Sequence, residues 1–311
     1  MHKYKLSINA AKLIATFCIF TYAIHNINYE EAKTLLRTAS SNYLFFALVL
    51  IGLHLFLVAI RWRSVINICG KTVPIYSILS ITMVGHFFRS LLPLSIGGDV
   101  ARAVFCQQIG FSKTMAFVSV IFDRTLGLIS LAGIVAVVSL TSESTLSIAI
   151  YGGTLALLLI GLIASLLIFG ESNAMRNFSL FPAFKSNLKN VVLSIKSKIY
   201  STASLNAMTY SILANISIVL SMFFLAVSIN CDISLIQSLI YFPIVLLMTL
   251  LPISVGGWGV REVVLIYIFS LLSLPSTEAV FISVAFGVIL SVYGFVGGIV
   301  LYKLNAILSS R

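Results

Sequence analysis

Two segments of the chain carry residue types that could do chemistry inside a membrane. The first contains Pro93, Ser95, Gly97, Gly98 and Arg102. The second repeats the same residues 159 positions later without a gap, as Pro252, Ser254, Gly256, Gly257 and Arg261. One copy of such a pattern could arise by chance. Two copies with the arginine in register indicate an internal duplication.

The residue types in each segment predict a break between two helices. Proline removes a backbone donor and disrupts the preceding turn, and a glycine pair allows conformations that other residues resist. We expect a new helix to begin near Asp99 and near Trp258. Its first amide groups would be unpaired and would carry positive partial charge, which suits an anion. Arg102 and Arg261 would lie about one turn further on.

We take the polar and glycine residues at and near the two breaks as candidate substrate-binding residues. An arginine at membrane depth is expensive and usually faces a polar cavity. Alternatives remain: Arg102 could pair with Asp99, or both arginines could reach the interface. Glu262 is adjacent to Arg261 and is not expected to face it on a helix. The candidates are Ser95, Gly97, Gly98, Asp99, Arg102, Ser254, Gly256, Gly257, Arg261, Glu262, Arg89, Asp123 and Arg124.

Four of these candidates have open roles: Arg89, Asp123, Arg124 and Glu262. Arg89 shares a predicted helix face with His86, and the two could line the cavity or lie at the interface. Asp123 and Arg124 are expected to form a buried charge network with the first hairpin rather than to contact substrate directly. Glu262 could alternatively couple transport to protons.

The sequence offers no catalytic machinery. It has no Ser-His-Asp pattern, metal-ligand cluster or Walker loop, so we expect no catalytic residue, no metal and no cofactor. A membrane-embedded transferase would need a general base and usually a pair of metal-binding carboxylates. Asp99, Asp123 and Glu262 belong to different predicted elements, which makes that alternative weak.

Composition predicts an all-α polytopic membrane protein. Hydrophobic residues make up 59% of the chain and charged residues 9%, whereas soluble domains carry about 25% charged residues. Mean hydropathy is +1.09. The net charge of +11 lies mostly between apolar runs, which indicates orientation by the positive-inside rule rather than nucleic acid binding. Apolar runs exceed the roughly 20 residues that a helix needs to span.

Charge placement predicts the topology. With basic segments in the cytoplasm, both termini and a basic loop at 170–205 lie inside. Segments 75–114 and 236–278 must each enter and return on one side, as re-entrant or double-crossing hairpins. The chain would then be one transmembrane domain, 1–311, with inverted repeat halves at about 42–140 and 206–302. The six full spans are expected at about 7–26, 42–60, 115–140, 146–169, 206–229 and 279–302.

Three stretches carry a resemblance to a known family. Gly85–Arg102, Phe122–Gly127 and Leu251–Glu262 are similar to the lysylphosphatidylglycerol synthase transmembrane (flippase-like) family, and the resemblance covers essentially the whole chain. It implies a flippase-like domain that handles phospholipids or lipid-linked saccharides, in the cell (inner) membrane of a bacterium or archaeon. The soluble lysyltransferase domain of larger members has no counterpart here, so the synthase activity is not carried over.

We therefore expect a protein, not an enzyme, that flips an anionic phospholipid or a lipid-linked saccharide. The head group would bind between the opposed hairpin tips, and the partner would be a membrane phospholipid or a polyprenyl-linked lipid. Two alternatives use the same features. One is a transporter of a small anion, and the other is a non-catalytic membrane partner of a separate lipid-modifying enzyme or glycosyltransferase. Oligomeric state is open.

Overall fold

The computed structural model describes residues 29–91, 97–139, 201–249 and 256–309. Within these ranges the structure is helical and contains no strand, so the all-α prediction is confirmed. The predicted spans 7–26 and 146–169, and most of the loop 170–205, lie outside the described residues. The helices are α1 (Tyr29–Thr38), α2 (Ser41–Ile68), α3 (Ile75–Leu91), α4 (Gly97–Gln108), α5 (Lys113–Ser139), α6 (Thr202–Ser228), α7 (Leu235–Met248), α8 (Val260–Leu271) and α9 (Ser276–Ser309).

Four of the described helices are long and apolar enough to cross a membrane: α2, α5, α6 and α9. They correspond to the four predicted spans that fall in the described ranges. One boundary is wrong. The second span was expected to end near residue 60, just before Arg61, but α2 continues to Ile68. Arg61 is buried and ion-paired inside the protein, so its charge does not force the helix to stop at the interface.

The two predicted hairpins are pairs of shorter helices. The first consists of α3 with 17 residues and α4 with 12, and the second of α7 with 14 and α8 with 12. Three of these four are well below the roughly 20 residues of a full span, which favours the re-entrant alternative. The new helices begin at Gly97 and Val260, within two residues of the expected Asp99 and Trp258.

The turns that flank the two hairpins are alike. Gly70 precedes the first hairpin and Asn230 precedes the second, and their φ angles are 91° and 56°. Gly110 follows the first hairpin and Ser273 follows the second, with φ angles of 85° and 56°. In all four turns, the next amide donates to the carbonyl five residues before it, as in the Schellman helix ending. The inverted orientation of the halves stays a prediction.

The described residues form two compact units, each built from distant parts of the chain. One contains residues 29–53, 83–91, 97–100, 216–249 and 256–309, and the other contains 54–82, 101–139 and 201–215. The core of the second unit is lined by Trp62, Ile78, Cys106 and Met115. In the first unit, α8 packs against α9 and buries Phe269 and Phe286.

Close helix contacts in the first unit depend on glycines. A Cβ atom on Gly98 of α4 would lie 2.4 Å from the carbonyl oxygen of Gly85 of α3. A Cβ atom on Gly297 of α9 would lie 2.1 Å from the carbonyl oxygen of Met83, also of α3. Both distances are far below van der Waals contact. The two glycines therefore let the backbones of α4 and α9 come close to the backbone of α3, as is usual for small residues between membrane helices.

Candidate functional site

The first arginine, Arg102, lies in a buried cluster of charges in the second unit. Its Nη2 atom is 3.0 Å from Oδ2 of Asp123 on α5. Arg61 of α2 donates to the same carboxylate, with Nε 2.7 Å from Oδ1 and Nη2 3.2 Å from Oδ2. The exposed fractions are 4% for Arg102, 5% for Arg61 and 0% for Asp123. Two guanidinium groups therefore share one carboxylate away from solvent.

An aromatic ring completes this cluster. The guanidinium carbon of Arg102 lies 3.9 Å from the centre of the fully buried Trp62 ring. Arginine stacks well on indole, and the contact is worth about 2 kcal/mol when it is desolvated. Trp62 follows Arg61 directly, so the last two turns of α2 supply both the second cation and the stacking surface.

A chain of hydrogen bonds leads from the cluster along α5 and α6. Arg61 Nη1 donates to Oγ of Ser211 at 3.3 Å. Ser211 Oγ lies 2.8 Å from Oγ of Ser130 and donates to the Leu126 carbonyl. Asn215 Nδ2 donates to Ser130 Oγ at 2.6 Å. Ser211 and Asn215 are four residues apart, on one face of α6, and hold it to α5 in an otherwise apolar interior.

The second arginine, Arg261, has its own carboxylate within the same helix. Its Nη2 atom is 3.3 Å from Oε1 of Glu262. Ser283 of α9 connects them, since Arg261 Nε donates to Ser283 Oγ at 2.7 Å and Ser283 donates to Glu262 Oε1 at 2.5 Å. The expectation that Glu262 would not face Arg261 is wrong. Both side chains are long enough to turn toward the same hydroxyl group.

Glu262 also closes the start of its helix. The amide of Gly259 donates to Oε2 of Glu262 at 2.5 Å, as in a capping box. We expected unpaired amides at the start of α8, but the amide of Gly259 is bound by a carboxylate of the chain itself. Glu262 is fully buried and Arg261 is 2% exposed, so the second break carries an internal, charge-balanced pair.

Aromatic side chains and a glycine enclose Arg261. Its guanidinium carbon is 5.0 Å from the centre of the Trp258 ring and 5.3 Å from that of Phe286. A Cβ atom on Gly287 would lie 2.5 Å from Nη2 of Arg261 and 2.6 Å from the Trp258 ring. Only glycine leaves room at this position. Each repeat thus places its arginine against an aromatic ring and a buried carboxylate, although the carboxylates come from different elements.

The turn before α8 lies beside the end of α3 in the first unit. A Cβ atom on Gly256 would be 3.9 Å from the carbonyl oxygens of both Arg89 and Ser90, at the end of α3. Gly256, Gly257 and Gly259 have φ angles of 59°, 85° and 86°, a left-handed region that glycine enters readily. The turn of the second hairpin therefore rests against the end of the first helix of the other hairpin.

The remaining candidates belong to both units. Gly97, Gly98 and Gly257 are buried, whereas Arg89, Asp99, Arg124 and Gly256 are half-buried. Ser95 and Ser254 lie outside the described residues. Asp123 joins the first hairpin to α5, as the predicted charge network requires. His86 is 3.0 Å from the carbonyl oxygen of Leu290, so it contacts the backbone of α9.

Sequence reasoning missed Arg61, Trp62, Ser211 and Asn215. Arg61 follows the span that was expected at about 42–60, so sequence reasoning did not place it in the interior. The signal for Ser211 and Asn215 was present, since two hydrogen-bonding side chains four residues apart share one face of an apolar helix. In the described ranges no group of three or more His, Cys, Asp or Glu side chains could hold a metal ion.

Comparison with known proteins identifies the family. The family model described as "Lysylphosphatidylglycerol synthase TM region" matches residues 9–297. A curated relative, UPF0104 membrane protein MJ1595 of Methanocaldococcus jannaschii, is 24% identical over 128 residues, which is 40% of this chain. The match spans 38% of that relative's length. The chain belongs to the lysylphosphatidylglycerol synthase transmembrane family and is an integral membrane protein.

Proposed function

We propose that this protein moves an anionic phospholipid or a lipid-linked saccharide across the membrane, with the head group bound at the junction of the two hairpin tips. The acyl or prenyl tails would stay in the surrounding lipid. Relative movement of two inverted repeats would expose the junction to each leaflet in turn. The proposal assigns no catalytic step to the chain.

The proximity of the Gly256 turn to the end of α3 is the observation that carries this proposal. Broken helices that meet inside a membrane protein commonly form substrate sites, because their irregular backbone needs polar surroundings. Here the Gly256 turn lies against the backbone of Arg89 and Ser90, and an arginine follows each break by about one helical turn. The family membership supports a lipid as the substrate class.

The proposed setting is the cell (inner) membrane, with both termini in the cytoplasm. Its support is the distribution of basic residues, which favours the cytoplasmic side. The half of the chain at 42–140 would then enter its hairpin from the inside, and the half at 206–302 from the outside. Labelling of single cysteines placed at Lys71 and Asp232, with a reagent that does not cross membranes, tests this orientation. The two positions should respond from opposite sides.

A proteoliposome assay with labelled phosphatidylglycerol tests the function. We expect the purified protein to accelerate transbilayer movement of the label relative to protein-free vesicles. Replacing both arginines, with Arg102→Gln and Arg261→Gln, should slow this movement in protein that still elutes as a folded species. Unchanged movement in the double variant would refute the assigned mechanism. Efficient competition by glycerol phosphate, which has no tails, would favour the small-anion alternative.

A further inference from the structure

The hydrogen bonds of Arg261 use one edge of its guanidinium group. Its Nε atom donates to Ser283 Oγ at 2.7 Å, and its Nη2 atom is 3.3 Å from Oε1 of Glu262. Ser283 Oγ itself donates to the same Glu262 oxygen at 2.5 Å. Because the two acceptors are bonded to each other, they lie together along the edge that Nε and Nη2 form.

The end of the same guanidinium group has no such partner at Nη1. A guanidinium group has five N–H donors in one plane, and its end carries Nη1 and Nη2 side by side. Among the residues that the structure describes, Arg261 Nη1 donates to no acceptor, whereas Nε and Nη2 both do. The side chain is only 2% exposed, and a buried donor without an acceptor is costly. An oxygen atom of a ligand would remove this cost.

Arg61 provides a comparison within the second unit. Its Nε and Nη2 atoms donate to the two oxygens of Asp123, and its Nη1 atom donates to Ser211 Oγ. All three nitrogen atoms of Arg61 are therefore occupied by the chain itself. The two buried arginines differ in what they leave for a ligand, and Arg261 leaves Nη1.

We propose that the end of the Arg261 guanidinium group binds the phosphate of the lipid head group, and that Ser283 is a positioning residue that turns this end toward the ligand. Two parallel N–H donors match two oxygens of one phosphate, so the ligand class is a phosphate ester. Ser283 and Glu262 hold the other edge in place. This inference rests on the proposed function and narrows it to one part of one side chain.

The surroundings of Arg261 suit a head group whose tails remain in lipid. The rings of Trp258 and Phe286 lie 5.0 and 5.3 Å from the guanidinium carbon, so apolar surfaces adjoin the cation. The turn before α8 belongs to the same unit, and Gly257 and Gly259 have φ angles of 85° and 86° there. Glycine turns of this kind allow a ligand to approach the backbone closely.

Charge balance limits how tightly the phosphate is held. Glu262 neutralises Arg261, so the phosphate is held by hydrogen bonds from the guanidinium group rather than by an uncompensated charge. Hydrogen bonds to charged groups are stronger than those between neutral groups, which favours phosphate over an uncharged head group. A carrier must also release its substrate, and moderate affinity permits release.

Binding of two labelled lipids to the purified protein in detergent tests the inference. Phosphatidylglycerol carries the phosphate and diacylglycerol with the same chains lacks it, so the ratio of the two affinities measures the contribution of the phosphate. Arg261→Lys keeps the positive charge but loses the planar fork of donors, and it should lower this ratio about tenfold. Arg37→Lys, at an exposed arginine of the same unit, is the control and should leave the ratio unchanged.

Ser283→Ala tests the positioning role. Loss of the hydroxyl group releases Nε of Arg261 and lets the guanidinium group turn, so the ratio should fall several-fold while the affinity for diacylglycerol stays the same. Ser221→Ala is the matched control, because Ser221 is also fully buried and its hydroxyl donates to the Ile218 carbonyl of its own helix. A lower melting temperature of Ser283→Ala with an unchanged ratio would overturn the positioning role.

Photo-crosslinking of the unmodified protein does not depend on the folding of a variant. Phosphatidylglycerol with a diazirine group on its head group should label peptides that contain Trp258 or Phe286, since these rings adjoin the guanidinium group. Labelling confined to other parts of the chain would overturn the assignment to Arg261.

Different results separate this inference from the proposed function. If the unmodified protein does not prefer phosphatidylglycerol to diacylglycerol and does not move it, the proposed function fails. If it does both, and folded Arg261→Lys and Ser283→Ala keep the ratio of their controls, only the role of Arg261 and Ser283 fails. Displacement of the lipid by an equal concentration of glycerol phosphate would show a site for a free phosphate ester and would overturn the lipid as ligand.

Discussion

Neutralising Glu262 should destabilise the protein more than removing the whole ion pair. In Glu262→Gln, the guanidinium of Arg261 would remain 2% exposed without its carboxylate. Breaking one side of a buried pair typically costs about 3–5 kcal/mol. The contacts of Arg261 with Trp258 and Phe286 would offset about 2 kcal/mol at most. We therefore expect a loss of about 1–5 kcal/mol.

The second variant in this comparison is Arg261→Met combined with Glu262→Gln. It removes both charges, keeps an apolar side chain of similar length beside Trp258, and leaves an amide that can still accept from Gly259. Replacing a buried ion pair by neutral groups is often nearly neutral. The double variant should therefore be more stable than Glu262→Gln alone, with a coupling free energy of about 2 kcal/mol or more.

The free energy of unfolding can be measured by titration with a denaturing detergent, with helix content followed by circular dichroism. Glu278→Gln is a suitable control, because it removes a carboxylate from the first turn of α9 at a distance from Arg261 in sequence. A loss below about 1 kcal/mol for Glu262→Gln, or strict additivity of the two substitutions, would refute the account of a buried, mutually compensating pair.

Three further predictions concern packing and reactivity. Gly297→Ala should destabilise the protein by about 1–3 kcal/mol in the same titration, because its Cβ would lie 2.1 Å from the Met83 carbonyl. Gly133→Ala, with no atom within 4 Å of the new Cβ, should not. Asn215→Leu should cost about 0.6–1.7 kcal/mol, the range for polar contacts between membrane helices. Cys231 should resist maleimide at pH 7 in the folded protein and react after unfolding, because burial and contact with Glu278 raise the pKa of its thiol.

The apolar runs determine most of the architecture that sequence reasoning recovered. A run long enough to span must be helical in lipid, so α2, α5, α6 and α9 were predictable from hydropathy alone. The breaks before α4 and α8 were predictable because proline and paired glycines have few other uses inside a span. Their helix starts were placed within two residues.

Sequence reasoning failed at charged residues whose positions were compatible with more than one structure. Arg61 could end a helix at the membrane surface or lie buried against a carboxylate, and the sequence around it is the same in both cases. The choice depends on Asp123, which is 62 residues away in the chain. The contact between Arg261 and Glu262 was missed because residue spacing on a helix predicts only the direction in which each side chain leaves the backbone. The ends of these two long side chains meet at a third group, the hydroxyl of Ser283.

The source of each carboxylate determines which arginine can respond to movement. Glu262 belongs to the same helix as Arg261, so a shift of α8 as a rigid body keeps the ion pair and changes the contacts of Arg261 with Ser283 and Phe286 of α9. Asp123 belongs to α5, whereas Arg102 belongs to α4 and Arg61 to α2. A shift of α4 against α5 must therefore break the bond between Arg102 and Asp123.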